Sequence, residues 1–177
     1  MTRAEEVVKK VAGRDYLKCY PVLICAVEVA YEHLPKQPQM KAITAEVIAR
    51  KGITNTTVSK ALSRAAIDVW DNGNRKALEE VYDRHLPPDG KPTPLDLTLK
   101  LAAFMDKPVE YRVWKEESSG KYGIAAADPV TGRWLAVAPF RVEHQRIEKF
   151  VRFLNRIHAP LEGFMDLFSD SGLLEIV

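Results

Sequence analysis

From Arg3 to Met105, apolar residues recur at three- and four-residue spacing, the period of a helix that buries one face. Val7, Val8 and Val11 mark a short amphipathic helix over residues 3–12, broken at Gly13. Tyr16, Leu17, Tyr20, Leu23, Ile24, Val27 and Tyr31 leave few polar positions over 15–33, which predicts a central buried helix. Pro21 marks either a kink in it or a fresh first turn. After a proline-framed loop at 34–40, Ile43, Val47 and Ile48 give the next helix an apolar stripe. Gly52 can adopt the left-handed conformation that ends a helix, and Thr54, Asn55, Thr56 and Thr57 are candidates to cap a new one. Val58, Leu62, Ala65, Ala66 and Val69 are the core face of that second helix, ending at Trp70 before an Asp71–Asn74 turn. Trp70 itself is expected at the helix end, packed into the core. Ala77, Leu78, Val81 and Tyr82 define a helix over 75–85; Thr93 and Pro94 open a last one, running to about Phe104 or Met105.

At Pro108 the period changes from helical to alternating. Tyr111, Val113 and Lys115 alternate with Arg112 and Trp114; a Ser-Ser-Gly turn leads to a second strand over 121–127. An Asp-Pro-Val-Thr-Gly turn leads to a third, over 134–138. A helix over about 142–158 follows, with Ile147, Phe150, Val151, Leu154 and Ile157 on the face that meets the sheet. Leu161, Phe164, Met165, Leu167 and Phe168 suggest a short closing helix. The expected fold class is therefore mainly α. A six-helix domain with a helix-turn-helix over 1–107 precedes a small α+β unit over 108–177, a three-stranded antiparallel meander plus helix. The second unit is small for an independent core, so it is expected to pack on the first or to dimerise.

Composition narrows the function. The chain has 177 residues, 46% hydrophobic and 28% charged, with a formal net charge of +2. That balance excludes a histone-like binder that works by bulk charge. Yet Lys41, Arg50, Lys51, Lys60 and Arg64 stand against Glu46 alone over residues 41–64, a local net of +4. A local patch steers toward phosphate more effectively than net charge does. The outward face of the second helix starts with Thr56, Thr57, Ser59, Lys60, Ser63 and Arg64, the short hydrogen-bonding groups and cations of a recognition helix. Double-stranded DNA is the partner this chemistry fits. A solvated helical hairpin is the plain alternative.

Other chemistry is thinly represented. His33, His85, His144 and His158 lie on different elements without metal-ligand spacing, and a lone His144–Glu148 pair is the mark of a surface contact. Cys19 and Cys25, six apart, fall on different faces of one helix, so the expectation is two reduced thiols in a cytoplasmic protein. Trp114 and Trp134 share a sheet, as core or as an exposed aromatic surface. No Gly-rich phosphate loop or membrane-length apolar run occurs; residues 1–13 do not read as a secretory signal, and neither catalysis nor a cofactor is expected.

Three blocks, in order, carry a family resemblance: Tyr16-Leu-Lys-Cys-Tyr20 ahead of a long apolar helix, Ile43 to Trp70 with its Asn/Thr-rich turn and terminal Ile-Asp-Val-Trp, and Lys91-Pro-Thr-Pro-Leu-Asp96. Over residues 3–106 the chain resembles the C-terminal DNA-binding effector domain of the stage-zero sporulation protein A family. The resemblance implies a sequence-specific transcription regulator with a helix in the major groove and a link to sporulation. The family reads bases with an arginine, a glutamate and a second arginine, where Thr57, Ser59 and Lys60 stand here; its target sequence is therefore not carried over. No phospho-accepting receiver domain is expected before the effector-like region, so control is expected from 108–177, for instance as a homodimer surface. The rival reading is a protein-interaction module with an effector-like fold that binds another regulator rather than DNA. Lys41, Arg50 and Lys51 are expected on flanking phosphates, with Thr54 and Asn55 helping to seat the backbone at the positive end of the helix.

Overall fold

Side-chain caps decide where the helices begin. In the computed structural model, which describes residues 2–14, 16–115, 117, 120–130, 132–140, 144–159, 161 and 167, Thr2 opens α1 (Arg3–Val11) with a reciprocal capping box to Glu5. Thr54 opens α4 (Asn55–Asn72), Asn74 opens α5 (Arg75–Tyr82) and Thr93 opens α6 (Pro94–Met105), each accepting from the amide three residues on. Between them lie α2 (Tyr20–Glu32) and α3 (Met40–Lys51). The chain divides into two units, Met1–Asp106 and Lys107–Val177. It is mainly helical, with a small antiparallel sheet.

In the first unit α2 is the central element, packed against α1, α3, α4 and α6. Leu23, Ala26, Val27, Val29 and Ala30 of α2 are fully buried, as are Val7, Val11, Leu97 and Leu101 around them. α2 is shorter than the expected 15–33 helix. Pro21 lacks the N–H that an interior position needs and stands instead in the first turn. Residues 16–18 form turns ahead of it, and Tyr16 is 76% exposed rather than part of the buried face. Tyr31, at the other end, is also partly exposed. α5 stops at Tyr82, short of the expected 85, because Asp83 takes the left-handed conformation (φ 51°) and ends it.

Trp70 differs from expectation as well. The helix continues two residues past it to Asn72, and the indole is half-buried beneath the Arg75 guanidinium, 4.1 Å from the ring centroid, instead of lying inside the core.

In the second unit, β1 (Glu110–Lys115), β2 (Tyr122–Ala127) and β3 (Trp134–Phe140) pair antiparallel in the order β1-β2-β3, with a bulge at Ala126/Ala127. α7 (His144–Arg156) buries Ile147, Phe150, Val151 and Leu154 against Tyr111, Ile124 and Ala126. Asn155 clamps the strand to the helix: it accepts from the Tyr111 amide and donates to the Tyr111 carbonyl, both at 2.8 Å. Ile157 lies beyond the helix end and is 43% exposed, so it does not extend the buried stripe as expected. Trp134 is 55% exposed, the surface alternative of the two open to it, and Trp114 is half-buried. Of the expected closing helix, Phe164, Met165 and Phe168 lie outside the described residues, as does the expected start of the 142–158 helix at Val142.

Candidate nucleic-acid interface

Three residues set the geometry of the α3–α4 turn. Gly52 is left-handed (φ 64°) and its amide donates to the Ile48 carbonyl at 2.9 Å, closing α3. Ile53 follows, and Thr54 caps α4 through the Thr57 amide at 3.3 Å. Ile43 and Val47 on α3, with Val58 and Leu62 on α4, are buried behind the turn and fix the two helices against the rest of the unit. The opposite face of α4 is thereby left to solvent. Thr56, Thr57, Ser59, Lys60, Ser63 and Arg64 are all exposed, and Asn55 stands exposed in the first turn.

These groups do not share one direction. Thr57 is tied back to the cap, its hydroxyl 2.9 Å from that of Thr54. Ser59 and Ser63 flank a cleft of about 210 Å³ formed with Met40, Thr44, Leu62, Thr93, Pro94 and Leu95. Thr56, Lys60 and Arg64 project outward between these edges, at the period that aligns i, i+4 and i+8 along a helix. Lys41, in the first turn of α3, and Lys51, at its end, are exposed on the neighbouring helix.

Arg50 does not belong with them. It donates through Nη1 and Nη2 to Glu32 at 3.0 and 2.5 Å, and through Nη2 to Glu46. The Glu32 and Glu46 carboxylates hold its guanidinium above the ordinary arginine value, and Glu32 in turn is held below the carboxylate range by Arg50. Pairing with two carboxylates offsets the charge of this guanidinium and sets Arg50 apart from the exposed Lys41 and Lys51, unpaired among the described residues. Local charge counts over residues 41–64 overlook Glu32 because it arrives from α2.

Two residues that sequence reasoning passes over complete the picture. Ile67 is 46% exposed on the same outward stripe, one turn beyond Arg64; on a helical wheel it falls between Thr56 and Lys60, which is the signal the sequence offers. Asp68 is 2% exposed and accepts four hydrogen bonds: from the Arg14 amide (2.8 Å), Arg14 Nε (2.9 Å), the Tyr20 hydroxyl (2.7 Å) and Asn72 Nδ2 (2.9 Å). Burial alone would raise its pKa, but the donations from Arg14 and Tyr20 together outweigh burial and hold the carboxyl below its ordinary value. Tyr20 moves the other way, its hydroxyl pushed up by burial and then by Asp68. An acid placed on the apolar face between Ala65 and Val69 is the sequence mark of this hub.

Cys19 and Cys25 are buried free thiols, both pushed above the ordinary cysteine value by burial. His144 lies 3.7 Å from Glu148 on the surface. Among the described residues, no three His, Cys, Asp or Glu side chains gather as a metal ion would require, and no helix is long and apolar enough to cross a membrane. No protein-family model matches the chain, and no curated protein matches it.

Proposed function

We propose that this protein is a sequence-specific DNA-binding regulator that lays the start of α4 in the major groove. The observation that carries the reading is the solvent-facing stripe of Thr56, Lys60 and Arg64 on a helix whose other face is locked behind the left-handed Gly52 turn. Lys60 suits a guanine edge or a phosphate, Thr56 a base or sugar, and Ile67 a thymine methyl. Lys41 and Lys51, the cations of α3 outside the Glu32–Arg50–Glu46 cluster, suit flanking phosphates. The likeness to the sporulation regulator's effector domain supports the same placement of the helix and suggests a role in gene control during sporulation.

Selection of bound fragments from a random duplex pool tests this. An enriched motif is expected, and Lys60→Ala with Arg64→Ala should weaken binding to it by about 1–3 kcal/mol per base contact removed. Unchanged affinity in the double variant would remove α4 as the reading helix. A second reading, a protein-interaction module, is favoured by exposed Ile67 and by the neutralised Arg50. Under it the protein would not be retained on random DNA at low salt, and Ile67→Asp would abolish partner binding instead.

A further inference from the structure

The apolar side of α7 is spent on the sheet, through Ile147, Phe150, Val151 and Leu154. Its other side carries Gln145, Arg146, Lys149, Arg152, Phe153 and Arg156, all exposed. At about 100° per residue these fill one continuous face. Lys149, Arg152 and Arg156 follow one another at steps of about 4.5 and 6 Å along the axis. Four cations on the helix stand against the single carboxylate of Glu148, a net of +3 within a chain of net +2. Glu148 reaches Arg152 at 3.4 Å; Arg146, Lys149 and Arg156 have no carboxylate partner among the described residues. Several cations elsewhere are matched: Lys10 with Glu80 at 2.9 Å, Arg75 with Glu79 at 3.7 Å, Arg50 with Glu32 and Glu46. A face needed only for solvation tolerates both signs, as those pairs do. Phe153 is exposed amid the cations, its ring held by stacking on Phe150 at 6.1 Å between centroids.

We propose that the outer face of α7 is a second nucleic-acid surface, which grips the backbone of duplex DNA without reading its sequence. Arg146, Lys149, Arg152 and Arg156 meet phosphates, and Phe153 packs on deoxyribose between them. The convex rod with one aromatic differs from the grooves lined by several aromatics that hold single strands. A membrane surface fits less well, because the apolar face an interfacial helix would insert is already buried against the sheet. This surface belongs to a different unit of the chain from α4, though it takes the same class of ligand as the function proposed above.

The experiment is a salt titration of the full chain on a random-sequence duplex, followed by fluorescence anisotropy. The R146A/K149A/R156A variant should bind at least tenfold more weakly at about 50 mM salt, with a log–log salt slope shallower by about 2–3, at roughly 0.9 for each phosphate no longer neutralised. R146K/R152K/R156K should keep the wild-type slope. Each single alanine should lower the slope by about 1, so a folding failure of the triple variant leaves the inference testable. An unchanged slope in the triple and single variants overturns the inference. So does tighter binding to an unpaired oligothymidine than to duplex, or to phosphatidylserine vesicles than to either. K60A/R64A, titrated on the enriched motif beside the α7 variants, separates the two surfaces. Weakened binding there with none in the α7 variants sinks this inference alone, whereas weakening only in the α7 variants sinks base reading by α4.

Discussion

Asp68 gathers donors from three places in the chain, so its carboxylate joins α4 to the lead-in of α2 through four hydrogen bonds at once. Asp68→Asn keeps the shape but turns two acceptor oxygens into one, and leaves either Arg14 Nε with Asn72 or the Arg14 amide with the Tyr20 hydroxyl facing an NH2 group. A loss of about 2–3 kcal/mol is expected at neutral pH, read as a lower urea midpoint. Because the folded carboxyl is held below its ordinary value, its contribution is full above the unfolded value of about 3.9 and is lost as pH falls through the folded one. The gap between wild type and variant should therefore narrow as pH falls below about 4; a gap that widens on acidification would contradict the assignment. Trp70 gives the contrasting case. Half-buried under Arg75, it should cost only about 1–2 kcal/mol when cut to Ala, not the 3–5 kcal/mol of a core tryptophan. A melting curve that collapses entirely would restore it to the core.

At the scale of elements, two glycines end the two helices of the candidate interface for different reasons. A Cβ on Gly52 would meet nothing within 4 Å, so Gly52→Ala bears only the left-handed backbone, about 1 kcal/mol. A Cβ on Gly73 would lie 2.2 Å from the Val69 carbonyl oxygen and 2.4 Å from that of Val11, where α1 and α4 end side by side. Gly73→Ala should therefore be the more destabilising, by about 1–3 kcal/mol; equal melting temperatures for the two variants would refute that comparison. Only the first of these is legible in the chain. Gly52 announces itself because the reason is local: an apolar stripe stops and a threonine run begins. Val11 and Gly73 are far apart in sequence, and no spacing rule reveals that they touch. The same divide explains the rest. Helix starts at Thr54 and Thr93 and the buried stripe of α4 rest on neighbours within one turn and are readable. Glu32 reaching Arg50, Tyr20 reaching Asp68, and Met40 and Pro94 walling the cleft beside Ser59 depend on packing between distant segments. The start of α2 falls later than the pattern suggests although its cause, Pro21, is visible, because Tyr16, Leu17 and Tyr20 continue the apolar spacing ahead of it.

For the whole molecule, near-neutral overall charge conceals separated cations, and the Glu32–Arg50–Glu46 cluster withholds one of them. Glu32→Gln with Glu46→Gln should release Arg50, tighten binding to random duplex and steepen its salt slope by about 1. Arg50→Ala should leave that slope nearly unchanged, and a slope that falls by about 1 would mean the guanidinium reaches phosphate after all. The placement of Asp68 has a mechanical consequence too. Asp68 stands twelve residues, about 18 Å of helix axis, from Thr56. α4 is thus a beam held at two places, by Val58 and Leu62 behind the turn and by Asp68 near its far end. Loosening the Asp68 support so that the axis tilts by about 5° displaces the Thr56 end by about 1.5 Å, enough to carry a side chain from hydrogen-bond distance to none. Mutations around Arg14 and Tyr20 would then act as aiming errors: they would blur which sequence is bound while the surface that touches it keeps every one of its residues.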